Sequence, residues 1–451
     1  MSNTVQAQLI LRFPHKSRTY LHFDEPLSEI QARELSTNPE AVASHSFLPF
    51  LGFSMKTKRY RKEEGVRHVS VKERPIRYAS HKDAAIYAWY SHRLSEKYED
   101  ELSLRGLKDV VSAFRSDQGT NIHIARDVFQ FVRANRPCVT LALDIEGFFD
   151  NLDHAVLKRA WCHLLGETNL PDDHYAVYRS LTRYCWVDVK QARKAVELRR
   201  KPLRKGPPRQ RRHRLCSAQE FRTQIRDRGL LRFGNRERKG IPQGSPISAM
   251  LSNLYMLEFD TVVHRAVEAV GGMYRRYCDD IMIVVPAENL ADIEALIADQ
   301  LNDLQLTSHP DKREEVQFPT SGKVSGKPLP YLGFIFDGET IRLRDASLNR
   351  YYGKMRRAVR LAQATQRKAN TKETAAGNPL SQLKTTKLYR RYSYLATRRT
   401  RKPKQPHGNK NYITYAHRAA RIMDSDAIRK QVRPHWRKLQ SAIRIAQGGR
   451  A

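Results

Sequence analysis

The chain is 451 residues long, 40% apolar, and carries 81 Lys or Arg against 47 Asp or Glu, a formal net charge of +34. That length supplies two or three units of ordinary domain size, and the apolar content excludes wholesale disorder. The charge is concentrated: residues 342–451 hold 29 basic against 4 acidic residues, and residues 190–239 hold 19 against 4. One insert and one tail, at +15 and +25, therefore carry more than the whole excess, and a polyanion such as nucleic acid is the expected partner.

No apolar run approaches about 18 residues, and no signal peptide or lipidation motif is found, so a soluble, cytoplasmic chain without membrane contact is expected. The five cysteines (138, 162, 185, 216, 278) are scattered with no C-x-x-C pair. This argues against a zinc site or a disulfide framework and fits a reducing compartment.

In chain order, residues 1–60 read as a mixed N-terminal segment. Two short β-like runs then flank a charged turn in KTKRYRKEEGVRHVSVKERPIRYASHKD, and a helix is predicted over 81–103, with Ile86, Trp89, Tyr90 and Leu94 forming its apolar stripe. CVTLALDIEGFFDNLDH reads as a buried strand, 138–145, that breaks at Gly147, with a helix after the Asp153 region. The basic block 190–239, with Gly206-Pro207-Pro208, is expected to be an exposed insertion of mixed helix and loop. GIPQGSPIS (240–248) is a Gly and Pro loop feeding a long helix from about Pro246, closed by Gly271-Gly272. RRYCDDIMIVV (275–285) is strand, turn and strand, a helix covers AENLADIEALIADQLNDL, and LPYLGFIFDGETIRL reads as a hairpin. From about 347 the chain is helical and basic, interrupted near Gly377-Asn378-Pro379 and by a loop at 400–410.

Asp279 and Asp280 stand side by side at the edge of an apolar strand. Adjacent carboxylates repel in a low dielectric unless a cation is near, which points to a metal ion. Asp is also a good turn former, and on its own the pair is compatible with a plain turn. A Pro-Gln-Gly loop, a Phe-Phe pair and a basic hairpin are each equally at home in unremarkable loops, cores and solvated faces.

Taken in order, DIEGFFD (144–150), GIPQGSPIS (240–248), YCDD (277–280), the lysine of HPDKREE (Lys312) and YLGFIF (331–336) resemble the reverse transcriptases, and among them the bacterial enzymes related to group II intron and retron enzymes. Upstream, RPIRYASHKD (74–83) and SAFRSDQGTNIHIA (112–125) look like the fingers motifs. The resemblance covers roughly residues 65–340. It implies an α+β right-hand polymerase fold: an N-terminal extension 1–64, fingers 65–137, a palm 138–340 with an antiparallel sheet and the insert 190–239, and a helical thumb with a basic α-helical RNA-binding extension, 341–451.

Nucleotidyl transfer by such enzymes uses two divalent ions about 3.5–4 Å apart. The resemblance makes Asp144, Asp279 and Asp280 the ligands, with the backbone at Ile145, and an all-oxygen site beside phosphates favours Mg²⁺, for which Mn²⁺ can substitute. It makes Lys312 the group that protonates pyrophosphate, Phe149 the residue that excludes a ribose 2′-hydroxyl, and Gln243 a nucleotide contact. Lys72, Arg74, Arg77 and Arg115 become candidates to clamp the triphosphate, and Tyr331, Leu332 and Gly333 the primer grip. The tail interleaves Tyr351, Tyr352, Tyr389, Tyr392, Tyr394, Tyr412, Tyr415 and Trp436 with Arg and Lys, a composition suited to phosphates and exposed bases.

The Cys of YCDD, the long insert and the lack of an integration module resemble the "unknown group" bacterial enzymes, in particular the second class of defence-associated reverse transcriptases. That implies cDNA synthesis on a dedicated noncoding RNA, with dNTPs as substrates, an RNA/DNA hybrid as product and a role in restricting phage. Three alternatives stay open: a catalytically silent RNA-binding splicing cofactor or scaffold, a group II intron- or retron-type enzyme without a defence role, and an RNA-synthesising polymerase, against which Phe149 argues.

Overall fold

The computed structural model describes residues 13–14, 18–63, 66–115, 119–197, 213–234, 237–397 and 411–448. Gly206-Pro207-Pro208 and the loop 400–410 lie outside them. At the centre is a four-stranded sheet built from β3 (Cys138–Asp144), β6 (Met273–Tyr277), β7 (Asp280–Val285) and β8 (Glu314–Phe318), in the order β6-β7-β3-β8 and antiparallel throughout. Strands β1 (Phe50–Glu63) and β2 (Val66–Tyr78) form a long hairpin whose sheet is extended by β4 (Cys185–Asp188) and β5 (Arg232–Phe233), in the order β2-β1-β4-β5. A third, small sheet comprises β9 (Leu329–Tyr331), β10 (Phe334–Phe336) and β11 (Ile341–Leu343).

The central sheet is buried on both faces, which is why IMIVV reads as an unbroken apolar run. Alternation sends Ile281, Ile283 and Val285 to one side with Val139, Leu141 and Leu143. There they meet the helices α1 (His81–Leu104), α3 (His154–Leu165), α4 (Asp172–Thr182), α5 (Ser248–Tyr255), α6 (Leu257–Ala269) and α7 (Leu290–Asp303). Met282 and Val284 point the other way, with Val316 and Phe318, into a second core shared with α2 (Asn121–Ala134), the β9-β10-β11 sheet and the C-terminal helices. Those are α8 (Asp345–Ala375), α9 (Thr386–Tyr392), α10 (Tyr412–Ile422), α11 (Asp426–Val432) and α12 (His435–Ala446). In this unit Tyr351, Tyr352 and Tyr392 are buried, so part of the tail's aromatic content is core rather than binding surface.

Most predicted elements appear near their expected limits. α1 is capped by Ser80, whose hydroxyl accepts from Asp83 N, and α3 by Asp153, whose carboxylate accepts from the amides of Ala155 and Val156. Two differ. The helix expected from Pro246 breaks at Met256, which interrupts it between α5 and α6. The segment 329–343 is a three-stranded meander rather than one hairpin, because the Asp337 carboxylate accepts from Thr340 N (2.6 Å) and Glu339 N (3.1 Å) and turns the chain a second time. Among the described residues, no helix is long and apolar enough to cross a membrane.

Candidate active site

The β3–β7 register sets Asp144 directly opposite Asp280. Beyond the paired strands, Ile145 N donates to Asp279 O (3.0 Å), and His309 N donates to the Asp144 carbonyl (2.7 Å). Residues 144, 145, 279 and 280 are therefore drawn together by main-chain bonds, from stretches of chain more than 130 residues apart. Because side chains alternate, Asp144 and Asp280 share the face of Ala142 and Met282.

The turn carrying the paired aspartates is held from behind. Cys278 adopts a left-handed φ of 61°, uncommon for a side-chain-bearing residue. Its carbonyl accepts from Arg276 Nη1 (3.1 Å), and the same guanidinium, fully buried, forms a two-pronged pair with Asp260 (2.7 and 2.5 Å). Tyr274 Oη donates to the other side of that pair, to Asp260 Oδ1, at 2.7 Å. Burial also pushes the Cys278 thiol well up, so it stays neutral.

Asp280 keeps solvent exposure, yet its carboxyl is pushed up to about 6, first by the protein packed against it and then by Asp279 and Asp144. Lys312 and Arg344 act in the opposite direction. The Lys312 ammonium rests on the Asp144 carboxylate, delivered by the short turn Pro310–Lys312. Among the described residues, no group of three or more His, Cys, Asp or Glu side chains is gathered closely enough to hold a metal ion. The donor chemistry nonetheless fits a hard divalent cation: three carboxylates and a backbone carbonyl, all oxygen, with Lys312 and Arg344 partly offsetting the repulsion at Asp280.

A second cluster forms on the far side of Gly147. Phe148 is buried in the core, whereas Phe149 is partly buried and accepts, through its carbonyl, from Ile241 N (2.9 Å). Gly240 lies so close that an added Cβ would fall 2.6 Å from the Asp150 carbonyl oxygen. Gln243 Nε2 then donates to Asp150 (3.2 Å), and Gln243 O accepts from Arg77 N (2.7 Å). Phe149, Gln243 and Arg77 thus converge. Lys72 and Arg74 do not join them, since they pair with Thr57 and Met55 on the hairpin face opposite that of Arg77, which pairs with Gly52. Nor does the structure bring Arg115 in: its guanidinium is 4% exposed, grips Glu99 at both oxygens (2.7 and 2.5 Å) and donates to the carbonyls of Lys108 and Val111.

Tyr331, Leu332 and Gly333 make the β9–β10 turn, with left-handed φ at Leu332 and Gly333. The Leu332 carbonyl accepts from Asn121 Nδ2 (3.0 Å), and Gly333 O accepts from Arg344 N (3.0 Å). The Tyr331 hydroxyl is buried without a hydrogen-bond partner, its acidity suppressed by burial and then by Asp280. Sequence reasoning passed over Arg344, Asp150, Asp260 and Trp186, whose ring lies 3.5 Å from the Arg77 guanidinium carbon. For Asp260 a signal existed, an acidic residue at helical spacing from the buried Val263 and Val267. Asp150 closes the DIEGFFD motif without a role being read for it, and no local pattern marks Arg344 or Trp186.

No curated protein matches the chain. Among solved structures, apo telomerase from Candida tropicalis is similar at 13% identity and a TM-score of 0.36, covering 71% of this chain and 54% of that one. A form of it truncated from the C-terminal domain gives 10% and 0.37, covering 71% and 61%. Telomerase from Candida albicans with a fragment of telomeric RNA gives 12% and 0.35, covering 97% and 73%. The chain thus spans about half the length of the first of these. Residues 204–336 match the family described as reverse transcriptase (RNA-dependent DNA polymerase). That stretch contains the Pro-Gln-Gly loop, both aspartates of the turn and Lys312, and it stops at the end of β10, so this segment of the chain is similar to a reverse transcriptase domain.

Proposed function

We propose that the chain copies an RNA template into DNA at a site formed by Asp144, Asp279 and Asp280. In this reading, fingers span 65–137, a palm 138–340 with the central sheet as its floor, and a helical thumb with a basic extension follows from 341. The observation that carries the proposal is the register that sets Asp144 against Asp280, with Ile145 N bonded to Asp279 O. A main-chain ladder of this kind fixes carboxylates that would otherwise separate.

The three aspartates and the Ile145 carbonyl would hold two Mg²⁺ ions, or Mn²⁺ in their place, which lower the pKa of the attacking hydroxyl and neutralise the leaving group. The chain's own groups do the rest. Lys312, already at Asp144, is within the site to hand a proton to departing pyrophosphate. Phe149 and Gln243 define the floor on which the sugar sits, and the bulk of Phe149 disfavours a ribose. Arg77 supplies positive charge at the nucleotide end, and Tyr331, Leu332 and Gly333 hold the primer end. The net +25 of residues 342–451 supports a thumb and extension that bind RNA through its phosphates. A dedicated noncoding RNA as template, and a role in phage restriction, follow from the resemblance of YCDD and the insert to the defence-associated enzymes.

The test is purified protein with primed poly(rA), Mg²⁺, and dTTP or UTP. Incorporation of dTTP over UTP is expected. Preference for UTP would overturn the DNA assignment, and no incorporation of either, with any co-purifying RNA supplied, would favour a silent RNA-binding scaffold.

A further inference from the structure

Five residues share one face of the β2-β1-β4-β5 sheet. Arg77 pairs with Gly52, Phe50 beside it pairs with Trp186, and Trp186 pairs with Arg232. The indole reaches sideways over Gly52 because nothing stands there: a Cβ at that position would fall 2.6 Å from Trp186 Cε3 and 2.9 Å from Arg77 Cδ and Nη1. The Arg77 guanidinium carbon thereby comes 3.5 Å from the ring centroid, and that of exposed Arg232 lies 5.2 Å from the same ring.

Arg77 is left with a need that the protein does not meet. It is 8% exposed, its Nη1 donates to the Ile76 carbonyl (3.1 Å), and its Nε is buried without a partner. Asp150 and Asp188 act on it only through space. Asp150 is already bonded to Gln243, and Asp188 to the amides of Lys190 and Gln191. A buried cation with an unpaired donor and a second guanidinium nearby is unfavourable unless an anion arrives, and a phosphate offers the geometry a guanidinium prefers. The main chain fixes where it would arrive, since Arg77 N is bonded to Gln243 O and Gly244 packs on the Arg77 carbonyl.

We propose that Trp186 is a positioning residue that presents the Arg77 guanidinium, with Arg232 alongside, as a receptor for a phosphate group beside the Gln243 loop. The proposal rests on the polymerase reading above. The phosphate comes either from the incoming nucleotide or from the template backbone, and the two sources separate experimentally. Trp186→Leu keeps apolar bulk and removes the ring, Trp186→Phe keeps a ring, and Gly52→Ala displaces the indole and crowds the Arg77 side chain packed on it, with every charged group kept.

On primed poly(rA), a nucleotide phosphate predicts that Trp186→Leu and Gly52→Ala raise KM for dTTP about tenfold, the size of an ordinary cation–π contact, with kcat within about twofold. Trp186→Phe should restore KM to within about threefold. A template phosphate predicts instead a tenfold weaker Kd for primer–template without nucleotide, read by fluorescence anisotropy, and an unchanged KM. Unchanged KM and Kd in both Trp186→Leu and Gly52→Ala overturn the proposal, as does a loss that Phe does not restore. If the wild-type protein incorporates nothing, the polymerase reading has failed, and the Kd arm alone decides the receptor: a change supports it and no change ends it. If Trp186→Leu does not fold, Gly52→Ala and Trp186→Phe carry the same decision.

Discussion

The two ends of the site hold crowded like charges by different means. At the carboxylate end, Asp144, Asp279 and Asp280 are set by backbone: a strand register, one bond across its end, and a turn whose carbonyl is gripped by a buried ion pair. At the guanidinium end, Arg77 is set by a side-chain stack over a missing side chain, on an edge strand. The first arrangement is set by main chain and leaves the charges only partly relieved, by Lys312 and Arg344, until a metal cation comes. The second is adjustable, because an aromatic ring that is only half-buried can shift. A site that must hold metal ions in one geometry but admit successive substrates would divide its labour this way.

The comparison breaks first at the aspartates. Asp279→Ala with Asp280→Ala is expected to reduce dTTP incorporation on primed poly(rA) to background while RNA affinity, measured by filter binding, changes less than about threefold, since neither side chain supports the sheet. A large loss of RNA affinity would mean the turn is structural and the division wrong. The next effect is on stability. Arg276→Met alone leaves the Asp260 charge buried without its cation, with the Tyr274 hydroxyl still donating to it, and should cost about 3–5 kcal/mol. Arg276→Met combined with Asp260→Leu should recover much of it, read as the urea midpoint. Both variants should lose incorporation, because the Cys278 carbonyl is released in each. Retained activity in the stable double variant would show that the buried pair does not hold the turn.

What was legible in the sequence follows the same division. Strand ends and turns are local features, so β3 stopping at Asp144, a turn after Tyr277 and the Gly-Pro loop could be read directly, although Asp280, expected in that turn, opens β7; a matching order of motifs brought them together. Side-chain partnerships across strands could not be read. Lys72, Arg74 and Arg77 look equivalent in one basic string, yet a period of two sends Arg77 to the face opposite the others. Arg115 looks like any exposed arginine until Glu99, sixteen residues earlier on α1, closes on it. Trp186 sits in RYCWVD with nothing to mark it, because its meaning lies in Gly52 and Arg77, more than 100 residues upstream. The split at Met256 and the third strand of the meander depend on packing and on one Asp side chain, neither of which periodicity reports.

Lys312 sharpens the carboxylate side. Its ammonium occupies Asp144 where a metal ion would bind, so Lys312→Met should tighten Mn²⁺ binding about threefold, the range of a partly exposed ion pair, as seen by electron paramagnetic resonance of the free ion. If the same lysine protonates pyrophosphate, kcat should fall about a hundredfold at the same time. Weaker Mn²⁺ binding would show that the lysine organises the carboxylates instead of competing for them.

The smallest effect concerns the guanidinium side alone. His22 is fully buried behind β2: its Nε2 meets the Tyr78 carbonyl (3.3 Å), and its Nδ1 accepts from Phe23 N (2.9 Å). That assigns a neutral ring with both nitrogens used, and burial, opposed by Asp24, lowers its pKa to about 4. A depressed histidine pKa means that the unfolded chain takes up the proton first as pH falls. The stability is therefore fully present above about 6.5 and is lost progressively toward 4, about 2 kcal/mol of it by pH 5. Amide exchange in β2 near Tyr78 should accelerate across that window while β7, Asp280–Val285, stays protected. His22→Phe, which cannot titrate, should flatten the β2 response; if β2 and β7 open together in the wild type, the two ends share one cooperative unit and the contrast between them does not extend to their dynamics.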